Sequence, residues 1–478
     1  MEPRRRTTWL NRREALQCMT AASVATLGAA EERETMTKRP NILLVHCHDL
    51  GQYLHCYGRE TVQSPNIDAL ASEGVLFERS FCTAPQCSPS RASLYTGRYP
   101  HNTGMLGLCH GVFAWDLHPE ERHLGQILKD AGYRTAGAGV IHETHGGPRR
   151  CGLDEFDFPV LSTQAVDNAI ARLKQFATDA RTPFYMQVGF IEPHRLPQPD
   201  CNGDHFFRVP GVTGPDTALG LEVPGYLRDT EGTRQDLAEL QGMIQHMDRN
   251  VGRLKAAVDE LGLAENTVLI FTTDHGVAMP RAKCSLYDPG LGVAFVLRLP
   301  SRDGWHGGIR HSAMISNVDY VPTLLDLLGI PVPDAVQGRS FRPLLDGEPY
   351  VPRDAVFGEL TYHDYYDPKR CIRTERHKLI LNFSNGPAFM DPTQTLRPRP
   401  DTIEPPNGKN SQHEVVELYD LEQDPWELNN VAGDAAYADI RATLVARLSE
   451  HLRATDDPLL KGAVAAPIHH DALRILSG

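Results

Sequence analysis

Past Ala30 the chain has no apolar run long enough to span a bilayer, so nothing beyond that point reads as a membrane-crossing helix. It also lacks an excess of positive charge. Its 48 Lys and Arg stand against 61 Asp and Glu, a formal net charge of −13, which argues against a nonspecific nucleic-acid binder needing a basic face to displace counterions. An anionic substrate would have to be met by charge gathered at one place. The ten cysteines show neither a repeated Cys-x-x-Cys nor a Cys/His finger spacing. No zinc module or disulfide framework is therefore indicated, and most cysteines read as small buried apolar residues. Internal repeats are absent as well. What remains is 478 residues of ordinary globular composition, enough for a large core and for two domains of unequal size.

At the N-terminus, Arg4-Arg5-Arg6 and Asn11-Arg12-Arg13-Glu14-Ala15-Leu16 precede a mildly apolar stretch over 19–30. This reads as a twin-arginine signal peptide covering residues 1–30, cleaved near Ala29-Ala30, and predicts export to the periplasm. Residues 41–46 have the continuously apolar, β-branched profile of a strand buried on both faces, and they lead into His48-Asp49-Leu50-Gly51. Three more predicted strands end similarly. Residues 134–140 deliver His142, residues 184–191 deliver Glu192-Pro193-His194-Arg195, and residues 267–273 deliver Asp274-His275-Gly276. Helices are expected from the Ser64-Pro65 start, over 124–131 and over 234–261. A single His or Asp after a strand is usually a loop cap. Four strand ends carrying such groups instead define one functional edge of an α/β sheet, the edge where open sheets of this kind bind ligands.

A strand over 293–298 and a helix over 319–329 follow, and Pro and Gly then cluster to position 352, the expected passage into a second domain. Strands over 355–359, 377–382 and 415–421, with a helix over 436–452, predict a small antiparallel sheet under one helix. The Pro-rich segment 391–406 reads as an exposed loop.

The rarest string is Cys87-Ser88-Pro89-Ser90-Arg91-Ala92-Ser93-Leu94-Tyr95-Thr96-Gly97-Arg98. It predicts a helix, with Ser88 as its cap, Pro89 in the first turn and Gly97 as a left-handed stop. Cys87 would lie at the positive helix end, where anions and activated nucleophiles are favoured, with Arg91 on the same face. The string resembles the signature of type I sulfatases of the alkaline phosphatase superfamily, in which the cysteine is oxidised after translation to formylglycine. Residues 103–108, 192–195, 283–290 and 417–425 also resemble sulfatase segments, in an arrangement most similar to heparan N-sulfatases.

That resemblance implies a large, mostly parallel sheet flanked by helices over 38–350, the catalytic domain, and a C-terminal antiparallel-sheet-plus-helix subdomain over 351–478. It implies hydrolysis of a sulfated sugar, with the N-sulfate of glucosamine in heparan-type chains as the specific expectation. Cleaving a sulfate ester or sulfamate takes a nucleophile, positive charge on the sulfuryl oxygens and a proton for the leaving group. By resemblance, Cys87 becomes the nucleophile, Arg91 steadies it, His142 is the base that releases sulfate, and His194 and Lys283 bind sulfate and protonate the leaving atom. Asp49, Asp274 and His275, with His48 and the converted Cys87, would hold one divalent metal, calcium foremost and manganese or zinc as alternatives. A formylglycine-generating maturation enzyme is the implied partner.

Three positions depart from the family pattern. His48 replaces the first of two adjacent Asp, His275 replaces Asn, and Val140 replaces the Lys of Gly-Lys-x-His. Calcium prefers oxygen donors, while an Asp/His set also suits manganese or zinc. A rival expectation is thus a formylglycine-dependent phosphonate monoester or phosphodiester hydrolase of the same superfamily. A noncatalytic glycan-binding relative is a third, opposed by the intact Cys87 string, since a binding module has no use for a convertible cysteine.

Overall fold

The computed structural model describes residues 39–179, 181–387, 390, 399, 401 and 412–477. The signal reading and most of the Pro-rich segment fall outside the described residues. No helix among those described is long and apolar enough to cross a membrane.

Eight strands form the main sheet: β1 (Asn41–Cys47), β2 (Val75–Phe81), β3 (Arg134–Gly139), β4 (Glu155–Asp157), β5 (Phe184–Gly189), β6 (Thr267–Thr273), β7 (Phe295–Arg298) and β8 (Ile309–Ser316). Their order is β8-β2-β7-β6-β1-β5-β3-β4. All neighbours are parallel except β7, which runs antiparallel to both β2 and β6. β1 is buried along its whole length. Side chains alternate across a strand, so Leu43, Val45 and Cys47 enter one core while Ile42 and Leu44 enter the other. The first core is closed by α1 (Pro65–Glu73), α4 (Ser162–Ala177) and α5 (Glu231–Glu260), and the second by α2 (Cys87–Thr96), α3 (Leu124–Asp130) and α6 (Tyr320–Leu327). Cover on both faces is why β1 reads as an unbroken apolar run.

β6, β1, β5 and β3 are adjacent and parallel, and their register aligns their ends. Cys47 pairs with Thr273, His46 with Gly189, and Gly189 with Gly139. The four polar tips anticipated from the sequence therefore leave the sheet side by side.

A second, antiparallel sheet holds β9 (Ala355–Tyr362), β10 (Tyr366–Thr374), β11 (His377–Asn382) and β12 (Val416–Asp420) in that order. On one face α7 (Ala438–Ala454) buries Leu444, Leu448 and Leu452 against Ile372, Leu379 and Leu418. On the other face Val356, Leu360 and Ile380 pack with Phe81, Leu291 and Met314 of the main unit. The sequence pattern missed β10 because charged residues interrupt its apolar alternation. Lys369, Arg370 and Arg373 are nevertheless buried there, satisfied by Asp367, Asp457 and Asp288. β2, β8 and α4 also lay outside the expected elements. α5 starts at Glu231, earlier than expected, because the Thr230 side chain caps it by accepting from the Thr233 N–H at 3.1 Å.

Candidate active site

α2 begins at Cys87, whose preceding residue Gln86 is the extended N-cap, and it ends at Gly97 in the left-handed region (φ 71°). The expected cap at Ser88 is not formed. Ser88 is already inside the helix, and its hydroxyl accepts instead from the Cys109 N–H at 3.1 Å. Cys87 is buried at the helix start, and burial pushes its thiol well up from the ordinary range, which outweighs the neighbouring Lys283 charge.

At the end of β1, Asp49 takes a left-handed backbone (φ 49°), a conformation Asp tolerates better than most residues. Its N–H donates to Asp274 Oδ1 at 2.9 Å, and the same oxygen accepts the His275 N–H at 2.8 Å. Asp274 Oδ2 is left facing Arg91 Nε and His48 Nδ1, each 3.2 Å away. Asp49 divides its carboxylate likewise. Oδ2 accepts from Lys283 Nζ at 2.8 Å, and Oδ1 lies 3.3 Å from His275 Nε2. Cys87 Sγ stands 3.3 Å from His275 Nε2 and 3.9 Å from Asp49 Oδ1.

Donor and acceptor rules settle several rings. His275 Nδ1 donates to the Gly276 carbonyl at 2.9 Å, which leaves Nε2 with a bare lone pair toward Asp49 and Cys87. His194 Nδ1 donates to the Arg195 carbonyl at 2.7 Å, so its Nε2 accepts from Lys283 Nζ at 3.3 Å. Arg91, 1 % exposed, donates through Nη1 to His46 Nε2 and through Nη2 to the Cys47 carbonyl at 3.4 Å. His46 then presents Nδ1–H to the Tyr95 hydroxyl.

The charges are strongly coupled to this geometry. Burial alone would raise the Asp49 carboxyl, but the Lys283 ammonium hydrogen-bonded to it holds it well below the usual carboxylate range. Burial alone would lower Lys283, but Asp49 keeps its ammonium above the ordinary lysine range. His194 is pulled down to about 4 by burial, with Asp49 opposing the shift. His48, His142 and His275 are likewise lowered, chiefly by burial.

One ligand atom from each of His48, Asp49, Cys87 and Asp274 lies within 4.8 Å of the others. Neither ring nitrogen of buried His48 makes a hydrogen bond. Two carboxylates and an unsatisfied buried imidazole, converging beside a second imidazole with a bare nitrogen, fit a divalent cation. The His123, Glu143 and Cys151 group deeper in the core does not fit in the same way, because His123 Nδ1 accepts from the Gly125 N–H at 3.0 Å and turns its protonated Nε2 toward Glu143.

Every site residue anticipated from the sequence reaches this one cluster. His142 joins it through its ring, 5.8 Å from that of His48, and through the group it forms with His48 and Cys87. Three neighbours escaped the sequence reading. His46 holds Arg91, His110 Nδ1 sits 2.7 Å from His142 Nε2, and Glu143 Oε2 accepts the His142 N–H at 2.8 Å while its other oxygen accepts from Gln187 at 2.8 Å. Only His46 left a signal, as a polar residue in an otherwise apolar strand that must find partners when buried.

A sulfatase family model matches residues 40–330, and a model of the C-terminal part of N-sulphoglucosamine sulphohydrolase matches residues 281–391. Human N-sulphoglucosamine sulphohydrolase is 31 % identical over 465 residues, spanning 87 % of this chain and 91 % of that protein. An ulvan-active sulfatase of Formosa agariphila is 28 % identical over 451 residues, spanning 92 % and 85 %. Two solved structures share the fold. One, in complex with its substrate D-glucosamine-2-N,6-O-disulfate, has a TM-score of 0.67 at 21 % identity and covers 88 % of this chain and 99 % of its own. The other, the phosphonate monoester hydrolase of Agrobacterium radiobacter, has a TM-score of 0.64 at 24 % identity and covers 87 % and 96 %. With a strand-edge cluster around Cys87 and matches over most of its length, the chain belongs to the sulfatase family, the hydrolases of sulfate esters and sulfamates.

Proposed function

We propose that this sulfatase removes sulfate from a sulfated sugar, with the N-sulfate of a glucosamine residue in a heparan-type glycosaminoglycan as its substrate. The observation that carries the proposal is the placement of Cys87 at the first position of a buried helix, between His275 and Asp49 on one side and within the same cluster as His142, His194 and Lys283. As a thiol this group is a poor nucleophile, since burial keeps it protonated. The reading therefore needs its conversion to formylglycine by a maturation enzyme, which supplies a hydrated aldehyde as nucleophile. Asp49, Asp274, His275 and His48 would hold a divalent metal, which would supply polarisation of the sulfuryl group.

The chain's own groups perform the rest. Lys283 and His194 face the incoming sulfuryl oxygens, and the Lys283 ammonium supplies the proton that His194 Nε2 relays to the departing amine or hydroxyl. Arg91, pinned by Asp274 and His46, steadies the nucleophilic oxygens of the aldehyde hydrate. His142 accepts the proton whose removal expels sulfate and restores the aldehyde, and Glu143 and His110 fix its backbone and ring. In the same reading the chain is exported behind its N-terminal signal, and residues 38–350 and 351–478 act as catalytic domain and C-terminal subdomain.

The test is a paired assay of glucosamine N-sulfate and O-sulfated sugars against phosphonate monoesters and phosphodiesters, with intact-mass analysis at Cys87. Release of sulfate from the N-sulfate above all other compounds is expected, with loss of turnover in Cys87→Ala. Preference for phosphorus substrates would replace this reading by that of a phosphonate or phosphodiester hydrolase, and undiminished turnover in Cys87→Ala would reject the mechanism.

A further inference from the structure

Resting on the reading that a divalent cation sits between the strand tips, we infer that this centre is built for a borderline transition cation, manganese or zinc, and discriminates against calcium. Calcium takes six to eight oxygen ligands and gains affinity from the number of charged carboxylates. Here only two carboxylates converge, and each already meets a cation of the chain. Asp49 Oδ2 is engaged by Lys283 at 2.8 Å and Asp274 Oδ2 by Arg91 at 3.2 Å. The charge left for a hard cation is correspondingly small.

Beside Cys87, the other two donors are nitrogens. His275 is locked in the tautomer that bares Nε2, and this atom lies 3.3 Å from Asp49 Oδ1 and 3.6 Å from Asp274 Oδ1. A ligating imidazole is usually held in just this way by a hydrogen bond from its other nitrogen to a carbonyl. His48 is 1 % exposed with no hydrogen bond at either nitrogen, yet its Nδ1 stands 3.2 Å from Asp274 Oδ2. An unpartnered buried imidazole is costly, and a close nitrogen–oxygen approach without hydrogen-bond geometry is the spacing of two neighbouring ligands on one cation with bonds of about 2.0–2.2 Å. Imidazole nitrogen suits zinc, manganese takes it beside carboxylates, and it does little for calcium.

The experiment measures binding by the purified chain, stripped with a chelator, using Mn2+, Zn2+ and Ca2+ separately in equilibrium dialysis, with the shift in unfolding midpoint as a second readout. Wild type should bind one Mn2+ or Zn2+ and show little midpoint shift with Ca2+. Because most sites favour transition metals somewhat, the deciding quantity is the Ca2+ to Mn2+ dissociation-constant ratio in wild type against His48→Asp and His48→Asp/His275→Asn. That ratio should fall by more than about tenfold in the first and further in the second. Pulsed electron-spin resonance of bound Mn2+ should show two coordinated imidazole nitrogens in wild type and one in His48→Asp. Equal binding of Ca2+ and Mn2+ by wild type, an unchanged ratio in His48→Asp, or no nitrogen coupling would each overturn the inference. If the double variant does not fold, wild type and His48→Asp decide. These readouts need no substrate. Sulfatase turnover with calcium retained sinks the inference alone, whereas the expected metal selectivity without sulfate release sinks the substrate reading alone.

Discussion

Replacing Lys283 by methionine keeps most of the side-chain volume and removes an ammonium lying 2.8 Å from Asp49 Oδ2 and 3.3 Å from His194 Nε2, at 2 % exposure. At an effective dielectric constant of about 20, opposite unit charges at this separation attract by about 6 kcal/mol. Part of that is returned because the lysine no longer needs to be desolvated. What remains is the cost of an unpaired buried carboxylate, about 3–5 kcal/mol when one partner of a buried pair is removed. Chemical denaturation of the metal-free Lys283→Met protein should show a loss in this range, and a smaller one with a divalent cation present, since the cation also neutralises Asp49. Turnover should fall by about 10²–10⁴, the range for losing a positioned proton donor or charge-stabilising group, with a smaller change in KM. A variant that keeps kcat within about tenfold of the parent would remove Lys283 from the chemistry. One destabilised by less than ~1 kcal/mol without metal would show that Asp49 does not depend on it.

Arg91→Lys keeps the charge but cannot reproduce the guanidinium's separate contacts to Asp274, His46 and the Cys47 carbonyl; a stability loss of about 2–4 kcal/mol by denaturant titration and a fall in kcat are expected, and equal activity would contradict the positioning role. Gly139 closes β3 at φ 99°, and a Cβ there would be driven into the Gly189 carbonyl. Gly139→Ala should lower the unfolding midpoint and, by shifting the chain that carries His142, activity together with it. Asp346 is a third case: burial raises its carboxyl, but hydrogen bonds from Arg302, Trp305 and Arg342 outweigh this and hold it at about 2. A folded-state value below the unfolded one of about 3.9 means this stabilisation is fully present above pH 4 and lost as pH falls toward 2. Unfolding free energy should therefore drop by on the order of 1–2 kcal/mol more across that window in the parent than in Asp346→Asn, and matching acid profiles would show the pairing is not realised in solution.

Much of this molecule is local enough to be legible along the chain. β1 and β6 were evident because strands covered on both faces leave continuous apolar runs. Their polar tips stood out because such runs end abruptly in His48-Asp49 and Asp274-His275, and the string around Cys87 carried its own specificity. Elements stabilised by distant partners were not legible. β10 carries lysine and arginines that only Asp367, Asp457 and Asp288 make tolerable inside the protein. The cap of α2 was misplaced because the Ser88 hydroxyl is claimed by Cys109, a residue on another segment.

By itself, then, the sequence determined which candidate site groups follow which strands along the chain, since residue type and periodicity are properties of neighbours in the chain. Tertiary structure decided what those groups can do. The parallel register of β6, β1, β5 and β3 sets the tips side by side. Burial keeps the Cys87 thiol protonated, Asp49 keeps Lys283 charged, and the Gly276 carbonyl bares His275 Nε2. Each of these depends on distance and on exclusion of water, which no one-dimensional pattern records.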